Sequence, residues 1–346
     1  MKRILLIGVV SFCVIAILGT FTLPPLSAAT PEILKKAKQE GVVVWYTTMP
    51  GAGRKMLKKL FEAKYPIKLE VFQAGSLDII GRYQTELSVN KVKVDCIHIT
   101  DMVFYLDMLE KGNLMKYDSP EYAAYTGLTK GWVYPGYIFP LRVMPIASLV
   151  NTKFVDWKNI KSYNDMLIPK FKGRIAAGDV ATSTRAYLNF YGLEKEYGMS
   201  WYKKLTGLDA QYYESSEKAM SSCMAGQWPI LFEAWLYTGY QYGVLKKAPV
   251  HSVITKEGSV VVPAPNTIMK QAPHPNAAKV LQDFLYSKEA QTNLGKTLGV
   301  NSGRSDVDPP PGIPKLSQIK VIGIDFKDAK QKRKALIEEW RKVSGR

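Results

Sequence analysis

Short apolar runs alternate along this chain with segments whose apolar positions recur every three or four residues. The run "VVVWYT" at 42–47 is almost wholly apolar, as expected of a parallel strand covered on both faces. After it, Met56, Leu57, Leu60 and Phe61 fall at helical spacing while Arg54, Lys55, Lys58 and Lys59 take the other face, which predicts an amphipathic helix over 52–64. "IKLEVFQ" reads as a second strand, "GSLDIIGRYQTEL" as a helix capped by Ser76, "VKVDCIHIT" as a third strand and "MVFYLDMLEKG" as a further helix. Strand alternating with helix at this spacing predicts right-handed crossovers and a parallel sheet.

The pattern breaks after Leu114. "KGWVYPGYIFPLRVMPIASLVN" is crowded with Tyr and Pro and has no helical period, and "SVVVPAPNTIM" repeats that character more than 100 residues later. Between them, "YNDMLI", "RAYLNFYGLEKEYG" and "SSEKAMSSCMAGQ" are helical in pattern. "NAAKVLQDFLY", "KEAQTNLGKTLG" and the tail "FKDAKQKRKALIEEWRKV" follow. Two α/β lobes are therefore expected, with the chain crossing between them twice: lobe 1 from 30–142 and 264–346, lobe 2 from 143–263.

Composition sets the compartment. Lys2 and Arg3 precede an uncharged apolar run to about Leu23, then Pro24, Pro25 and Leu-Ser-Ala-Ala. That order is a secretory signal peptide over 1–29, although a run of roughly 20 apolar residues also suffices for an uncleaved anchor. Cys13 has the bulky Phe12 before it, which excludes lipoprotein processing. Removing the leader takes the formal charge from +17 to +15 and leaves Cys96 and Cys223. Two cysteines in a chain of this length are no disulfide framework, and their apolar surroundings predict buried free thiols. A basic surplus raises nucleic acid or anionic lipid as partners. Its cations are dispersed, no nucleic-acid motif accompanies them, and export argues against nucleic acid.

Candidate chemistry gathers where strands end, because in an open parallel sheet ligands bind beyond the carboxyl ends of the strands, facing free helix-start amides. The first turn offers Thr47, Thr48 and the amides of Gly51 to Gly53; the second offers Gly75 and Ser76; the third offers Thr100 and Asp101. In the second lobe "GDVATSTRAYL" places Thr182, Ser183 and Thr184 at a helix start, where hydroxyls, free amides and the dipole favour an anionic group. Arg185 beside them either makes a bidentate contact or points to solvent. Arg82 is expected in an ion pair inside its lobe, Arg142 is placed on a crossover where it could face the cleft, and Glu233 is expected to be solvated or ion-paired unless it faces the cleft, where it could receive an amine. The opening turn is no nucleotide cradle: Gly51-Ala52-Gly53 lacks the third glycine, and no Gly-Lys-Ser/Thr follows the strand. No Gly-x-Ser-x-Gly elbow, Cys-His pair or zinc spacing appears. Of the three histidines, His98 reads as packed in the third strand, and His251 and His274 as sitting in Pro-flanked loops.

In order, "EGVVVWYTT", "LFEAKYPIKLEVFQAGS", "VDCIHIT", "ASLVNTKFV", "MLIPKFKGRIAAGD", "EYGMSWYKKL", "APNTIMKQAPHPNAAKVLQDFLYSKEAQ" and "NSGR" resemble the solute-binding proteins of ABC importers, in the branch labelled ferric-iron type. The resemblance covers nearly all of the chain after the leader. It implies a two-lobed type 2 periplasmic binding fold with two interlobe crossovers, a monomer that closes over a small ligand in the periplasm, and docking on inner-membrane ABC permease subunits. Ferric members of that branch place two adjacent tyrosines in the stretch matching "FEAWLYTGYQYG". Here only the second, Tyr237, is present, and Leu236 stands at the first. The histidine of the ferric pattern falls at about Pro50 and its glutamate at about Thr100. Fe(III) would then need an alternative set such as Tyr46, Asp101 and Tyr237. With no cofactor otherwise implied, the expected ligand is a small organic anion, a phosphonate, phosphate ester or carboxylate. Thr47, Thr48, Gly75, Ser76 and Thr100 would hold it from one lobe, and Thr182, Ser183, Thr184 and Tyr237 from the other. Trp45 and Trp235 would add apolar walls, while Tyr240 and Tyr242 are expected in ordinary packing. A terminal helix packed on the first lobe is expected from the narrow stripe of Ala335, Leu336 and Trp340, in preference to a lipid-surface tail.

Overall fold

The computed structural model describes residues 30–126, 128 and 131–346, so the leader expected at 1–29 lies outside the described residues. Thr30 caps α1 (Pro31–Glu40) by accepting the Ile33 amide. The β-α alternation follows in β1 (Val42–Thr47), α2 (Gly51–Lys64), β2 (Lys68–Gln73), α3 (Ser76–Ser88), β3 (Cys96–His98) and α4 (Met102–Glu110). β1 pairs in parallel with β2 on one side and β3 on the other. Its two faces enter two different cores: Val43 and Trp45 pack with Leu57 and Phe61 of α2, and Tyr46 packs with Ile79 and Tyr83 of α3. That double burial is why the run carries no solvent-facing alternation.

β4 (Phe139–Asn151) comes next and is buried at every position. It leads into α5 (Tyr163–Met166), β5 (Ile175–Gly178), α6 (Thr184–Tyr197), α7 (Ser200–Gly207), β6 (Gln211–Tyr213), α8 (Ser216–Ala225), β7 (Ile230–Trp235) and β8 (Val250–Val253). β9 (Ser259–Ile268) returns, followed by α9 (Pro275–Tyr286), α10 (Lys288–Leu298), the short β10 (Val321–Ile322) and α11 (Phe326–Ser344). The sheet order is β2-β1-β3-β9-β4-β7-β5-β6, with β10 on β9 and β8 on β4.

Two strands tie the sheet together. β4 and β9 run antiparallel from Phe139 opposite Asn266 to Pro145 opposite Val261. The end of β9 then pairs with β3, and the later half of β4 pairs with β7. β4 and β9 thus belong to both halves of the sheet, and the expected lobe boundaries at 142/143 and 263/264 fall inside them. Pro140, Pro145, Pro263 and Pro265 sit in these strands; each lacks an amide for the ladder, and the pairing register shifts between Pro140 and Arg142. This accounts for the Pro-rich character of both crossings.

α11 departs from expectation. It packs on α6 and α7 of the second half: Trp340 meets the Tyr212 ring edge-on at 5.4 Å, Arg333 covers the Tyr187 ring at 4.5 Å, and the Tyr191 hydroxyl donates to Asp328 at 2.7 Å. Toward the first half it makes the 3.0 Å Lys330–Asp107 ion pair with α4. The apolar stripe of the tail is legible in the sequence, but its partner is the tyrosine-bearing face of α6, a surface formed only on folding.

Cys96 and Cys223 are both buried and unbridged. Burial raises the Cys96 thiol well above its ordinary value and pushes Cys223 up to about 12. Since the thiolate is the reactive form, a folded chain beginning at Thr30 is expected to resist a water-soluble disulfide reagent at pH 8 and to release two equivalents of thiol once denatured. Rapid colour development before denaturant is added would contradict this burial.

Candidate functional site

The crossing of β4 and β9 places Arg142 against the end of β3. The His98 Nδ1 lies 2.7 Å from the Pro265 carbonyl, and its Nε2 lies 3.0 Å from the Arg142 Nε. A guanidinium only donates and a carbonyl only accepts, so the His98 proton is on Nδ1 and Nε2 receives Arg142. Burial first, then the Arg142 charge, hold this imidazole well below its ordinary pKa and therefore neutral. Trp45 stacks beside it with centroids 6.0 Å apart and donates its indole N–H to Asn266 at 2.8 Å. Arg142 is 2% exposed, with the Tyr237 hydroxyl beside it.

A second buried arginine comes from the other half. Arg185, in the first turn of α6, is 8% exposed, and its Nε and Nη2 have no hydrogen-bond partner among the described residues. Its guanidinium lies 5.8 Å over the Trp235 ring, and the Trp235 and Tyr237 rings are nearly parallel at 6.4 Å. Glu233, on β7 and 3% exposed, accepts the Gly178 amide. Burial pushes its carboxyl up to about 7, opposed by Arg185. Burial raises the Tyr237 phenol, and Arg142 and Arg185 both act the other way.

The charge balance here is unusual. Buried Arg304 is neutralised by Glu121 at 2.6 Å and Asp306 at 2.8 Å. Among the described residues, Arg142 and Arg185 have no carboxylate within ion-pair distance. A cavity of about 340 Å³ opens beside Arg185, lined by Arg185, Glu217, Trp235, Tyr237 and Gln241 of the second half and by Pro50 from the β1–α2 turn of the first; Arg142 lies behind one of its walls, next to Tyr237.

The hydroxyls singled out from sequence divide into three sets. Thr48, Ser76 and Thr100 collect at the carboxyl edge of the first three strands: the Thr48 amide donates to the His98 carbonyl at 2.9 Å, and the Ser76 and Thr100 hydroxyls are 3.5 Å apart. Gly75 is exposed at the cap of α3. Thr47 turns inward, its hydroxyl accepting the Met49 amide at 3.0 Å. Thr182 and Thr184 are exposed, and Ser183 caps α6 by accepting the Ala186 amide. The expected free amides of that turn are not free. Ala181 and Thr182 donate to the Asp179 carboxylate at 2.8 and 3.2 Å, and Ser183 donates to the Asp179 carbonyl at 2.9 Å. An aspartate two residues before the amides it accepts is an Asx turn, the signal in "GDVATS" that hydroxyl counting passes over. The group of this turn that lines the cavity is Arg185.

The remaining expectations resolve locally. Arg82 pairs with Glu86 at 3.1 Å inside its own half and covers the Tyr46 ring. Tyr46 donates to Glu86 at 2.6 Å, and Asp101 caps α4 by accepting the Phe104 amide at 3.1 Å. Neither lines the cavity with Tyr237, and Leu236 is buried. Glu233 is buried and, among the described residues, in no ion pair. Tyr240 is packed as expected, but Tyr242 lines the cavity. His251 lies within β8, stacked on Trp157 at 3.9 Å, because β8 adds a strand to β4 where a loop was expected. His274 sits 2.9 Å from Asp95.

Comparison with known proteins gives the same architecture. The family profile described as bacterial extracellular solute-binding protein matches residues 93–330. An uncharacterized protein of Haemophilus influenzae is 24% identical over 340 residues, 91% of this chain and 94% of its own length. The periplasmic binding protein AfuA from Actinobacillus pleuropneumoniae, solved with fructose-6-phosphate, is similar with a TM-score of 0.72 at 23% identity, covering 88% of this chain and 99% of that one. Iron-bound HitA from Pseudomonas aeruginosa is similar with a TM-score of 0.73 at 17% identity, covering 86% and 99%. A periplasmic thiamin binding protein is similar with a TM-score of 0.69 at 16% identity, covering 88% and 96%. The fold is thus the type 2 periplasmic binding fold, whose examples are solved with chemically unlike ligands.

Proposed function

This chain belongs to the bacterial extracellular solute-binding proteins, and from that premise we propose that it captures a small organic anion outside the cytoplasmic membrane for an ABC importer. The observation that carries the reading is the pair of buried guanidiniums, Arg142 and Arg185, with no carboxylate partner among the described residues. A buried charge is costly unless it is paired and hydrogen-bonded, so the cavity beside Arg185 is suited to a ligand that brings the missing negative charge. Arg185 contributes two donor nitrogens, Nε and Nη2, without a partner among the described residues, the pair that suits phosphate or carboxylate oxygens. Trp235 and Tyr237 supply a flat wall for the uncharged part of the solute, and Thr48, Ser76 and Thr100, gathered at the carboxyl edge of the first three strands, would meet it from the first half on closure. Closure of the two halves about β4 and β9 would then be stabilised by the ligand's preference for the closed form. The protein acts as a carrier, handing its ligand unchanged to permease subunits.

Thermal unfolding tests this directly. A ligand at 100 times its dissociation constant adds about 2.7 kcal/mol, worth several degrees in a chain of this size. Phosphate esters, phosphonates or carboxylates are expected to raise the melting temperature without metal. Stabilisation by Fe(III) alone with a visible tyrosinate-to-iron band, and none by the organic anions, would overturn the reading in favour of ferric binding.

A further inference from the structure

Glu233 is a carboxylate built into the anion site from behind. The Gly178 amide donates to its Oε1, and a Cβ at position 178 would stand 2.6 Å from that oxygen and 2.9 Å from the Ala186 Cβ. Only glycine therefore lets the carboxylate come this close to the base of α6, from which Arg185 projects. The charged group acting on Glu233 is Arg185 on α6, while the Glu233 charge itself acts on Tyr163 of α5, Tyr202 of α7 and Tyr212 of β6. Burial raises all three phenols above their ordinary values and leaves them neutral. Asp179, at the end of β5, is turned toward Arg346 at 3.5 Å, and Glu217 at the start of α8 lines the cavity and acts on Arg185. Arg185 is thus the cation that Glu233 answers to.

Resting on the anion-binding reading, we infer that Glu233 is a positioning residue that exchanges its negative charge for the ligand's: when a dianion enters against Arg185, the Glu233 carboxylate takes a proton from solvent and stays in place as a neutral acid. The balance is one proton gained per ligand bound, with no other bond changed. The carboxyl stands near 7 before binding, and a dianion beside Arg185 draws off the cation that favours its ionised form, so binding raises it further. The sign follows: below pH 7 the proton is already present and affinity is independent of pH, whereas above pH 7 each binding event must recruit it. Affinity then falls by up to tenfold per pH unit until the pKa of the complex is passed.

Sulfate is the decisive probe, since it remains a dianion throughout and any proton taken up enters the protein; glycerol phosphate above pH 7.5 serves as an organic counterpart. Calorimetric titration in two buffers of different ionisation heat is expected to show a large fraction of one proton taken up per anion at pH 7.5 and almost none at pH 5.5. Glu233→Gln, which keeps an oxygen for the Gly178 amide, is expected to abolish the uptake and flatten the affinity between pH 7 and 8.5. Glu110→Gln, at the exposed end of α4 and outside the cavity, is expected to leave both unchanged. The uptake in the unaltered protein stands as a test even where the Glu233 variant folds poorly. Anion binding without proton uptake, or with uptake that survives Glu233→Gln, would overturn the inference while leaving the binding reading intact. Failure of both probes to bind would remove that reading and the inference with it.

Discussion

Arg185→Met is expected to raise the melting temperature of the protein in the absence of anions and to abolish its response to them. The usual result of truncating a buried polar residue is the opposite, because partners are left behind unpaired. Among the described residues Arg185 has no carboxylate within ion-pair distance and its Nε and Nη2 are unpartnered, and Glu233, whose ionised form it favours, is protonated below about pH 7, so the comparison belongs at pH 6. Methionine keeps much of the volume against Trp235 and removes the desolvation penalty that already lowers the arginine's pKa. Replacing buried charges with apolar residues of similar size is often neutral or stabilising by about 1–4 kcal/mol. Ligand binding should move the other way, since losing one partner of a buried charged contact costs about 2–5 kcal/mol, which is at least tenfold in affinity. Stability and affinity changing in opposite directions is the signature of a residue retained for binding. A melting temperature that falls, with anion affinity kept, would make Arg185 a structural residue.

A chain ending at Asp325 is not expected to fold. α11 buries Phe326, Leu336 and Trp340 in the main core, and each large apolar side chain contributes about 1.5–3 kcal/mol. Together they approach the whole stability of an ordinary domain, about 5–15 kcal/mol. Removal would also strip the partners of the Tyr187 and Tyr191 hydroxyls. Circular dichroism and limited proteolysis of the truncated chain should show loss of cooperative unfolding. A truncated chain that melts like the full one would mean that the basic tail is a separable segment, such as one for lipid surfaces.

How much of this was legible in the sequence depended on what each residue answers to. The alternation from Val42 to Glu110 was readable because each element buries its own face locally, and the crossings because four prolines mark β4 and β9 as irregular. The partner of α11 was not readable, since the tyrosines that receive it lie more than 100 residues away. At the site, hydroxyl-rich turns drew attention because they sit at helix starts, yet Thr47 and the 181–183 amides are consumed within their own turns. The arginines were named, but what distinguishes Arg142 and Arg185 from Arg82 is that no carboxylate among the described residues lies within ion-pair distance of them. Arg82 has Glu86 four residues on, a pairing written along one helix. The neutral state of His98, held between Pro265 and Arg142, likewise depends on β9 and β4 meeting β3.

The most direct test is to locate a heavy dianion in crystals. Soaking in selenate and collecting at the selenium edge should give an anomalous peak in the cavity beside Trp235 and Tyr237, within hydrogen-bonding distance of Arg185 and facing Arg142. A peak confined to surface lysines, or none in the cavity at concentrations that stabilise the protein in solution, would contradict the claim that these two arginines await an anion.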